Sequence, residues 1–453
     1  MKATFSIAIL LILLSAVMYS QESVTLTLEK AVDLALQKNT QVIQAQNAVG
    51  GKQSAVTAAY GSLMPTLGAS GSYFSKHQWT PVSGGGDQYI PGFGVVPVAS
   101  SGGHSTNESY TSGLGTNMVL FDGFANYANL SAAKANANSS EYSLDRTVQN
   151  TILQTHLLFL NVVRTYQLMK VNEDNVKRSQ RQLEQIQESN KVGKVARADV
   201  YRQQAQVGND EYNLIAAQSN YEKAKLDLIA SLGVEFNTEY KFDLAGIPQD
   251  IDTTEFVSEN AKYTDYNSLV NTAIMKRPDY MSSVETLNSA EAGVTAAKGA
   301  FLPSVNFQGQ YYFSNPWNSL TDNKNFTVNL NVSLPIFSGF SLQSQLDQAE
   351  VGRKNADEAL RQQGRQVRVD IRKALLDLES AEKQVNVTQA SVQSAAMDQQ
   401  IAEEKYHLGA STLLDLLTAN TNYTTAQSNK VNAVTGYLLA KKQMEFVVGV
   451  ISK

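Results

Sequence analysis

Residues Val56–Tyr73 read VTAAYGSLMPTLGASGSY, and residues Val294–Tyr311 read VTAAKGAFLPSVNFQGQY. The second stretch lies 238 positions after the first, and the same offset pairs Val32 with Val270, Ala35 with Ala273 and Lys38 with Lys276. From Phe121 onward the offset becomes 216. Phe121, Gly123 and Phe124 then match Phe337, Gly339 and Phe340, while Gly193 matches Gly409, Asp199 matches Asp415, Tyr221 matches Tyr437 and Gly233 matches Gly449. The change of offset places one insertion in the first copy, between Phe74 and Phe121. A repeat of about 220 residues is too long for a solenoid unit and reads as a duplicated half-structure.

The N-terminus points to export. Lys2 precedes an apolar run from Phe5 to Met18, with small or polar residues beginning at Ser20, which is the layout of a secretory signal peptide over residues 1–20. A membrane anchor fits less well, because the run is short for a bilayer span. The chain has no Cys, so neither disulfides nor a lipid-bearing N-terminal Cys are expected. No later segment approaches the roughly 20 apolar residues of a membrane helix, so contact with a bilayer would have to be made by strands. A formal charge of −5 argues against nucleic acid as a partner. Most of the imbalance sits between Val234 and Tyr266, where Glu235, Glu239, Asp243, Asp250, Asp252, Glu255, Glu259 and Asp265 face only Lys241 and Lys262. That stretch reads as an exposed connector between the halves.

Residues 98–247 and 336–453 hold none of the nine prolines and are rich in Ala, Gln, Leu, Lys and Glu. Proline costs roughly 3 kcal/mol inside a helix, so both stretches predict very long helices. Val367, Ile371, Ala374, Leu378, Ala381, Val385, Val392 and Ala395 keep alternating steps of four and three with one polar gap at Thr388, a coiled-coil seam whose small residues allow close approach. The first copy carries a wider band through Ile152, Leu153, Leu157, Leu160, Val163 and Tyr166, as for a helix packed on two neighbours. Each long helix should end at Gly193 or Gly409 and reach roughly 100 Å.

Between the helices the period changes to two. Phe326, Val328, Leu330, Val332 and Leu334 alternate with Thr327, Asn329, Asn331 and Ser333, and Val305, Phe307, Gly309, Tyr311 and Phe313 alternate with polar residues. The first copy repeats this less cleanly through Leu67, Ala69, Gly71 and Tyr73, then Leu114, Thr116, Met118 and Leu120. Such strands suit a transmembrane β-barrel with lipid outside and water inside, or an ordinary half-buried sheet. In lipid the barrel must close, and four strands per chain are too few. Eight strands from a dimer leave little lumen, whereas twelve from a trimer leave room for a channel. The insertion, with Gly84-Gly85-Gly86 and Ser100 to Gly103, would then be an external loop; no Gly-Lys-Ser/Thr follows the glycines, so it is not a phosphate loop.

At this point the chain resembles the TolC-like outer-membrane efflux protein family over essentially its whole mature length. The matching motifs are LTLEKAVDLALQKN at 26–39, VGKVARADV at 192–200, MKRPDY at 275–280, LPIFSGF at 334–340 and LGASTLLDLL at 408–417. Each is weak alone, but five in order within a duplicated frame are specific. The resemblance implies an α+β membrane protein: a homotrimer in the outer membrane, with a twelve-stranded β-barrel and a coiled-coil helical tunnel through the periplasm. It implies an exit duct for small molecules, docked to a periplasmic adaptor (membrane fusion) protein and an inner-membrane RND or ABC transporter. A polypeptide (type I) secretion duct is the alternative. A periplasmic coiled-coil adaptor is a further rival, but it has no need of two alternating strand pairs.

The expected organisation is a first repeat over 21–233, with helices 27–63, strands 65–75 and 110–121, long helix 125–191 and return helix 195–232. An acidic equatorial connector follows over 234–266. The second repeat spans 267–453, with helices 267–301, strands 303–314 and 325–336, long helix 341–407 and return helix 411–449. By the same resemblance, the tips Val192, Gly193, Lys194, Arg197, Leu408, Gly409, Ala410 and Ser411 meet the adaptor, and Asp199, Tyr406 and Asp415 hold the gate or line its constriction. Two positions depart from the family pattern: Ser411 stands where an arginine can pair with the neighbouring hairpin, and Thr418 where a second constricting aspartate can stand. Three copies of Asp415 round one axis would form a negative ring favouring cations; the plainer reading is an aspartate in a solvated helical turn.

Catalysis is not expected. His77, His104, His156 and His407 are scattered without metal-ligand spacing, and no nucleophile elbow, nucleotide fingerprint or helical His-Glu-x-x-His occurs, so no cofactor or metal is called for. His156 reads as a packing or surface residue within a helix.

Overall fold

The computed structural model describes residues 24–81, 87–97, 103–234, 240–244, 265–316 and 324–452, with isolated positions between 246 and 263. The expected signal peptide, the triple glycine and much of the acidic connector lie outside the described residues. The first copy runs β1 (Val24–Leu26), α1 (Leu28–Lys38), α2 (Thr40–Gly61), β2 (Thr66–Thr80), β3 (Asp87–Ile90), β4 (Gly94–Pro97), β5 (Gly103–Asp122), α3 (Ala125–Lys191) and α4 (Arg197–Leu232). After β6 (Tyr240–Phe242), the second copy runs α5 (Tyr266–Lys276), α6 (Pro278–Gly299), β7 (Ser304–Pro316), β8 (Lys324–Ser333), α7 (Ser341–His407) and α8 (Leu413–Val448). None of the described helices is long and apolar enough to cross a membrane.

The chain forms two compact units, one of Gly50–Asn138 with Glu285–Glu358, the other of the remaining segments. In the first, four antiparallel strands pair in the order β2-β5-β7-β8. The register sets Tyr311 opposite both Leu114 and Phe326, and Phe307 opposite both Met118 and Leu330, so the apolar rows of neighbouring strands share one face. On the other face Asn306 meets Asn331 and Gln308 meets both Asn117 and Asn329. The alternation expected for β5 fails at its end. A register shift between Val119 and Phe121 brings Phe121, rather than Leu120, opposite Val305, because the bulge spends one extra residue on the bend that leads into the helix. The sheet also outruns the expected ends: β2 and β5 stay paired from Thr66↔Asn117 to Thr80↔Gly103, and β3–β4 form a small hairpin. Much of the insertion therefore extends the strands rather than looping.

Strand passes to helix in the same way in both copies. Gly123 and Phe124 take φ of 68° and 68°, and Gly339 and Phe340 take 62° and 63°, two consecutive left-handed residues at each turn. The phenylalanine in this region costs on the order of 1 kcal/mol. It is held by its neighbour: Phe121 and Phe124 meet edge to face at 5.2 Å, and Phe337 and Phe340 at 5.6 Å. Asp122 accepts the Asn126 N–H at 2.8 Å and so caps α3.

The second unit holds two cores that correspond under the repeat. Ala31 and Ala35 of α1 pack with Phe159, Val162 and Val163 of α3 and Leu228 and Leu232 of α4; Leu269, Val270 and Ala273 of α5 pack with Val367, Ile371 and Ala374 of α7 and Met444 and Val448 of α8. The coiled-coil seam is buried from Val367 to Val385 and only half-buried at Val392 and Ala395. Among the connector's described residues Lys241, Asp243, Asp250, Lys262 and Asp265 are exposed, while two apolar side chains and one short strand anchor it. Ile251 and Phe256 are buried against Tyr437, and β6 pairs in parallel with β1.

The helix break at Arg277 carries a buried cluster of polar contacts. Arg277 is 2% exposed and grips Asp279 through two hydrogen bonds, Nη2 to Oδ2 at 2.7 Å and Nε to Oδ1 at 3.0 Å, while Nη1 reaches Asp370 at 3.0 Å and the Val447 carbonyl at 3.4 Å. Burial alone would raise the Asp279 carboxyl, but hydrogen bonds from Arg277 and the charges of Arg146 and Arg277 outweigh it and hold the pKa below 3.8. A carboxylate depressed in the folded state contributes stability above its ordinary pKa and loses it as pH falls through the folded value. Asp279→Asn is expected to cost about 3 kcal/mol, since it leaves a buried guanidinium half-compensated. Thermal unfolding followed by helical signal should show that deficit at neutral pH and a shrinking one as pH falls below 3.8.

Candidate functional site

Two surfaces are candidates for function, the sheet and the helical tips. On the sheet, the apolar face is bare: Leu67, Leu114, Phe326, Val328, Leu330 and Val332 are each more than half exposed. Exposed apolar area of this extent marks an interaction surface. The opposite face carries the Asn, Gln, Ser and Gly of the same strands. β2 and β8 are edges, with no further strand partner among the described residues.

Both tips are built by the same backbone device. Gly193 (φ 74°) donates to the Asn190 carbonyl at 2.9 Å while Lys194 donates to Ser189 at 2.9 Å; Gly409 (φ 71°) donates to Tyr406 at 3.0 Å while Ala410 donates to Lys405 at 2.8 Å. This left-handed cap stops α3 and α7 and lets the chain reverse at once. The chain then enters α4 and α8 differently. Thr412 caps α8: its hydroxyl accepts the Asp415 N–H at 3.2 Å, and Asp415 Oδ2 accepts the Thr412 N–H at 3.0 Å and hydroxyl at 2.7 Å. These bonds hold the exposed Asp415 carboxyl below its ordinary pKa, so it is charged at neutral pH. At the first tip the capping residue is Ala196, which has no side-chain bond, and the equivalent Asp199 instead pairs with Arg202 at 2.8 Å.

The fold thus engages Asp415 apart from the other two expected gate residues. Tyr406 lies beside Asp199: burial first, then the Asp199 charge, raises the tyrosine hydroxyl. That hydroxyl is buried without a hydrogen-bond partner among the described residues, as is that of Ser411. Asp415 is engaged with Thr412 instead, and the exposed Thr418 donates to the Leu414 carbonyl at 2.8 Å. Val192, Leu408 and Leu414 present exposed apolar side chains. No ion pair joins Lys194 or Arg197 to another described residue, and the Arg197 guanidinium lies 5.9 Å from the Tyr201 ring. Sequence reasoning missed Arg202 and Thr412. The signal for Thr412 was present, because Thr-x-x-Asp before an apolar run is a capping-box pattern.

The histidines also differ from their reading as scattered residues. The β2–β5 register stacks His77 on His104 at 5.7 Å, with Trp79 edge-on to His104 at 4.6 Å. His156 is buried in α3, where its Nδ1 lies 2.9 Å from the Ile152 carbonyl, and burial lowers its pKa. Among the described residues no group of three or more potential metal ligands occurs.

Comparison with known proteins adds a family. The model described as outer membrane efflux protein matches residues 31–234 and 269–450. The outer membrane protein TolC of Salmonella enteritidis is 23% identical over 361 residues, 78% of this chain and 71% of that protein. The outer membrane efflux protein BepC of Brucella suis is 23% identical over 329 residues, 71% of this chain and 68% of that protein. Among solved structures, the CmeC outer membrane channel of Campylobacter jejuni superposes with a TM-score of 0.76 at 21% identity, covering 93% of this chain and 85% of that one.

Two substitutions separate the tip contacts. Thr412→Ala should cost about 1 kcal/mol through loss of the cap and speed amide exchange at Leu413–Leu416. Tyr406→Phe removes no hydrogen bond to a described residue and should change unfolding stability by less than about 0.5 kcal/mol.

Proposed function

The chain belongs to the outer membrane efflux protein family, and on that premise we propose that it is the outer-membrane exit duct of a multi-component efflux assembly, a homotrimer whose twelve strands close one barrel. The observation that carries this reading is the sheet: one bare apolar face, one polar face and two open edges. An unpaired edge is untenable in hydrocarbon, so lipid contact requires closure. Four antiparallel strands leave β2 and β8 running in opposite directions, which lets a ring of copies close antiparallel. The ten residues of β8 span about 33 Å, or roughly 25 Å of membrane height at a tilt near 40°. Tyr73, Tyr110 and Phe326 at one end of the band, with Phe121 and Phe337 at the other, fit aromatic girdles at the two interfaces.

The tips are the end that meets a periplasmic adaptor, itself joined to an inner-membrane RND or ABC transporter. The exposed Val192 and Leu408, beside the freely presented Lys194 and Arg197, offer an apolar contact rimmed by positive charge. Gly193, Gly409, Ala410 and Ser411 keep that surface small enough for a helical hairpin to approach. In the trimer, three charged Asp415 side chains round the axis form a cation-attracting ring, with Asp199 and Tyr406 governing how neighbouring hairpins close. Small molecules are the proposed cargo, moved by the transporter and released through the duct without chemistry. Polypeptide export uses the same duct with a different transporter.

Photo-crosslinking in cells from Lys194 and Ala410 is expected to capture an adaptor. Capture of none, in cells where the protein is oligomeric, would sink the multi-component reading. In planar bilayers Asp415→Ala should weaken divalent-cation block of the single-channel current about tenfold, a loss of roughly 1.4 kcal/mol of binding, and unchanged block would remove the ring.

A further inference from the structure

We propose that the cleft bounded by α3, α4 and the segment leaving β6 binds a neutral N-acetylated sugar ring of a glycan chain. The site lies within one chain and apart from the gate, since Tyr166 stands about 25 residues before the end of α3, roughly 37 Å along the helix from the tip. Tyr166 and Tyr221, with ring centroids 5.5 Å apart, line a cavity of about 360 Å³ together with Phe242, Leu244 and Val163. That volume is at the small end of ligand sites and suits a single ring.

The repeat supplies the first argument. The offset of 216 carries Tyr221 onto Tyr437. Tyr437 is 0% exposed, because the Phe256 ring meets it edge-on at 4.9 Å with Ile251 in the same cluster. The connector thus covers the second tyrosine with an aromatic side chain of its own. It reaches the first only with Phe242 and Leu244, and Tyr221 stays half-buried beside the cavity. Tyr166 and Gln167 correspond to Glu382 and Lys383, so the paired rings and the amide belong to the first copy alone. The wall is also held before any guest arrives. β6 pairs in parallel with β1, and the Asp243 N–H donates to the Leu26 carbonyl at 3.1 Å, which lowers the ordering cost of binding.

Charge then selects the guest. Lys170 Nζ lies 5.8 Å from the centre of the Tyr166 ring and Lys225 Nζ 5.0 Å from that of Tyr221, so a cationic guest would compete with fixed ammonium groups for the same rings. Those lysines are themselves paired, with Glu173 at 2.8 Å and Glu222 at 2.7 Å, and Asp243 lines the cavity. An anionic guest would therefore meet a carboxylate while both nearby ammonium groups are committed. A neutral guest with an apolar face and a hydrogen-bonding edge fits. The axial C–H groups of a pyranose ring lie against aromatic rings, Asp243 accepts from hydroxyls, and the Gln167 amide both donates to and accepts from an acetamido group. Leu244 and Val163 give its methyl an apolar wall. On the duct reading this helical unit stands in the periplasm, where such a ring belongs to cell-wall glycan; the binding itself does not depend on that reading.

Full-length protein in detergent, titrated calorimetrically with the neutral N-acetylglucosamine tetramer, is expected to bind it, and to bind the deacetylated, cationic tetramer at least about tenfold more weakly. Tyr221→Leu keeps an apolar side chain but removes the ring, and should weaken binding of the neutral tetramer about tenfold. Gln167→Ala should weaken it about fivefold. Helical content and single-channel conductance should be unchanged in both variants. Co-sedimentation with purified cell-wall sacculi, reduced in the same order, would assign the sugar to the wall; tetramer binding without sedimentation would assign it to a soluble glycan. Tighter binding of the cationic tetramer, or variants that bind as the unsubstituted protein does, would overturn the site. So would binding of N-acetylphenylalanine amide with none of the sugar, which would make the cleft a seat for a peptide side chain. No binding by a protein that conducts normally would overturn the site and leave the duct reading intact, whereas binding without conductance would do the reverse.

Discussion

Hydrogen bonding in the absence of water is the constraint on which this structure depends. Every backbone N–H and C=O that enters hydrocarbon must find a partner in protein, and β2 and β8 end the sheet with rows that have none among the described residues. A lone chain with this sheet is therefore incomplete in two respects. Placed in hydrocarbon, its apolar face would meet lipid, and its edges would need strands. The same bare edge in water would template aggregation, and Leu67, Phe326 and Leu330 leave the apolar face exposed beside it.

Duplication lets the two halves of the chain pair through β5 and β7, and Gly123 and Gly299 touch backbone to backbone at that joint. What must be conserved between the halves is then the joint, and the glycines mark it. Gly233 and Gly449 show the principle inside the helical unit. Both are left-handed, and an added Cβ would lie 2.5 Å from the Lys38 oxygen in one case and 3.0 Å from the Lys276 carbonyl carbon in the other. Each lets the return helix end directly on the break between two short helices.

Elements defined by period and by glycine were legible in the sequence. The change from a period near 3.5 to one of two separates helix from strand, and Gly193 and Gly409 announce the tips because only glycine takes the left-handed cap without cost. Elements defined by partners were not legible. The bulge at Leu120 follows from how β5 meets β7, and no local residue pattern distinguishes it from two more residues of strand. The pairing of Ser75 to Thr80 with Gly103 to Glu108 was hidden by a polar composition that reads as loop. Stacking of His77 on His104 required that register. At the tips the aspartates were visible, but their separate engagements were not. Asp199 and Asp415 occupy equivalent positions, yet Thr412 draws Asp415 into a cap, whereas Ala196 leaves Asp199 to Arg202.

The halves diverge most where the joint is not at stake. Asn39 and Arg277 are equivalent, and each donates to an equivalent carbonyl of the return helix, Ser231 at 2.8 Å and Val447 at 3.4 Å. Asparagine completes its task with that bond and with the cap it gives to the Gln41 N–H at 2.8 Å. Arginine reaches further, to Asp279 and Asp370, and draws in Arg146 of α3, whose guanidinium is pushed down to about 10 chiefly by burial and lies 3.8 Å from the Phe446 ring. The second copy thus fastens α5, α6, α7 and α8 with one charged cluster, and reaches across to the long helix of the first. A charged cluster of this kind is geometrically exacting, since each buried guanidinium N–H left unpaired costs more than a paired one returns. It therefore ties the helices of the second copy to α3 of the first through the Arg146–Asp279 pair at 3.6 Å.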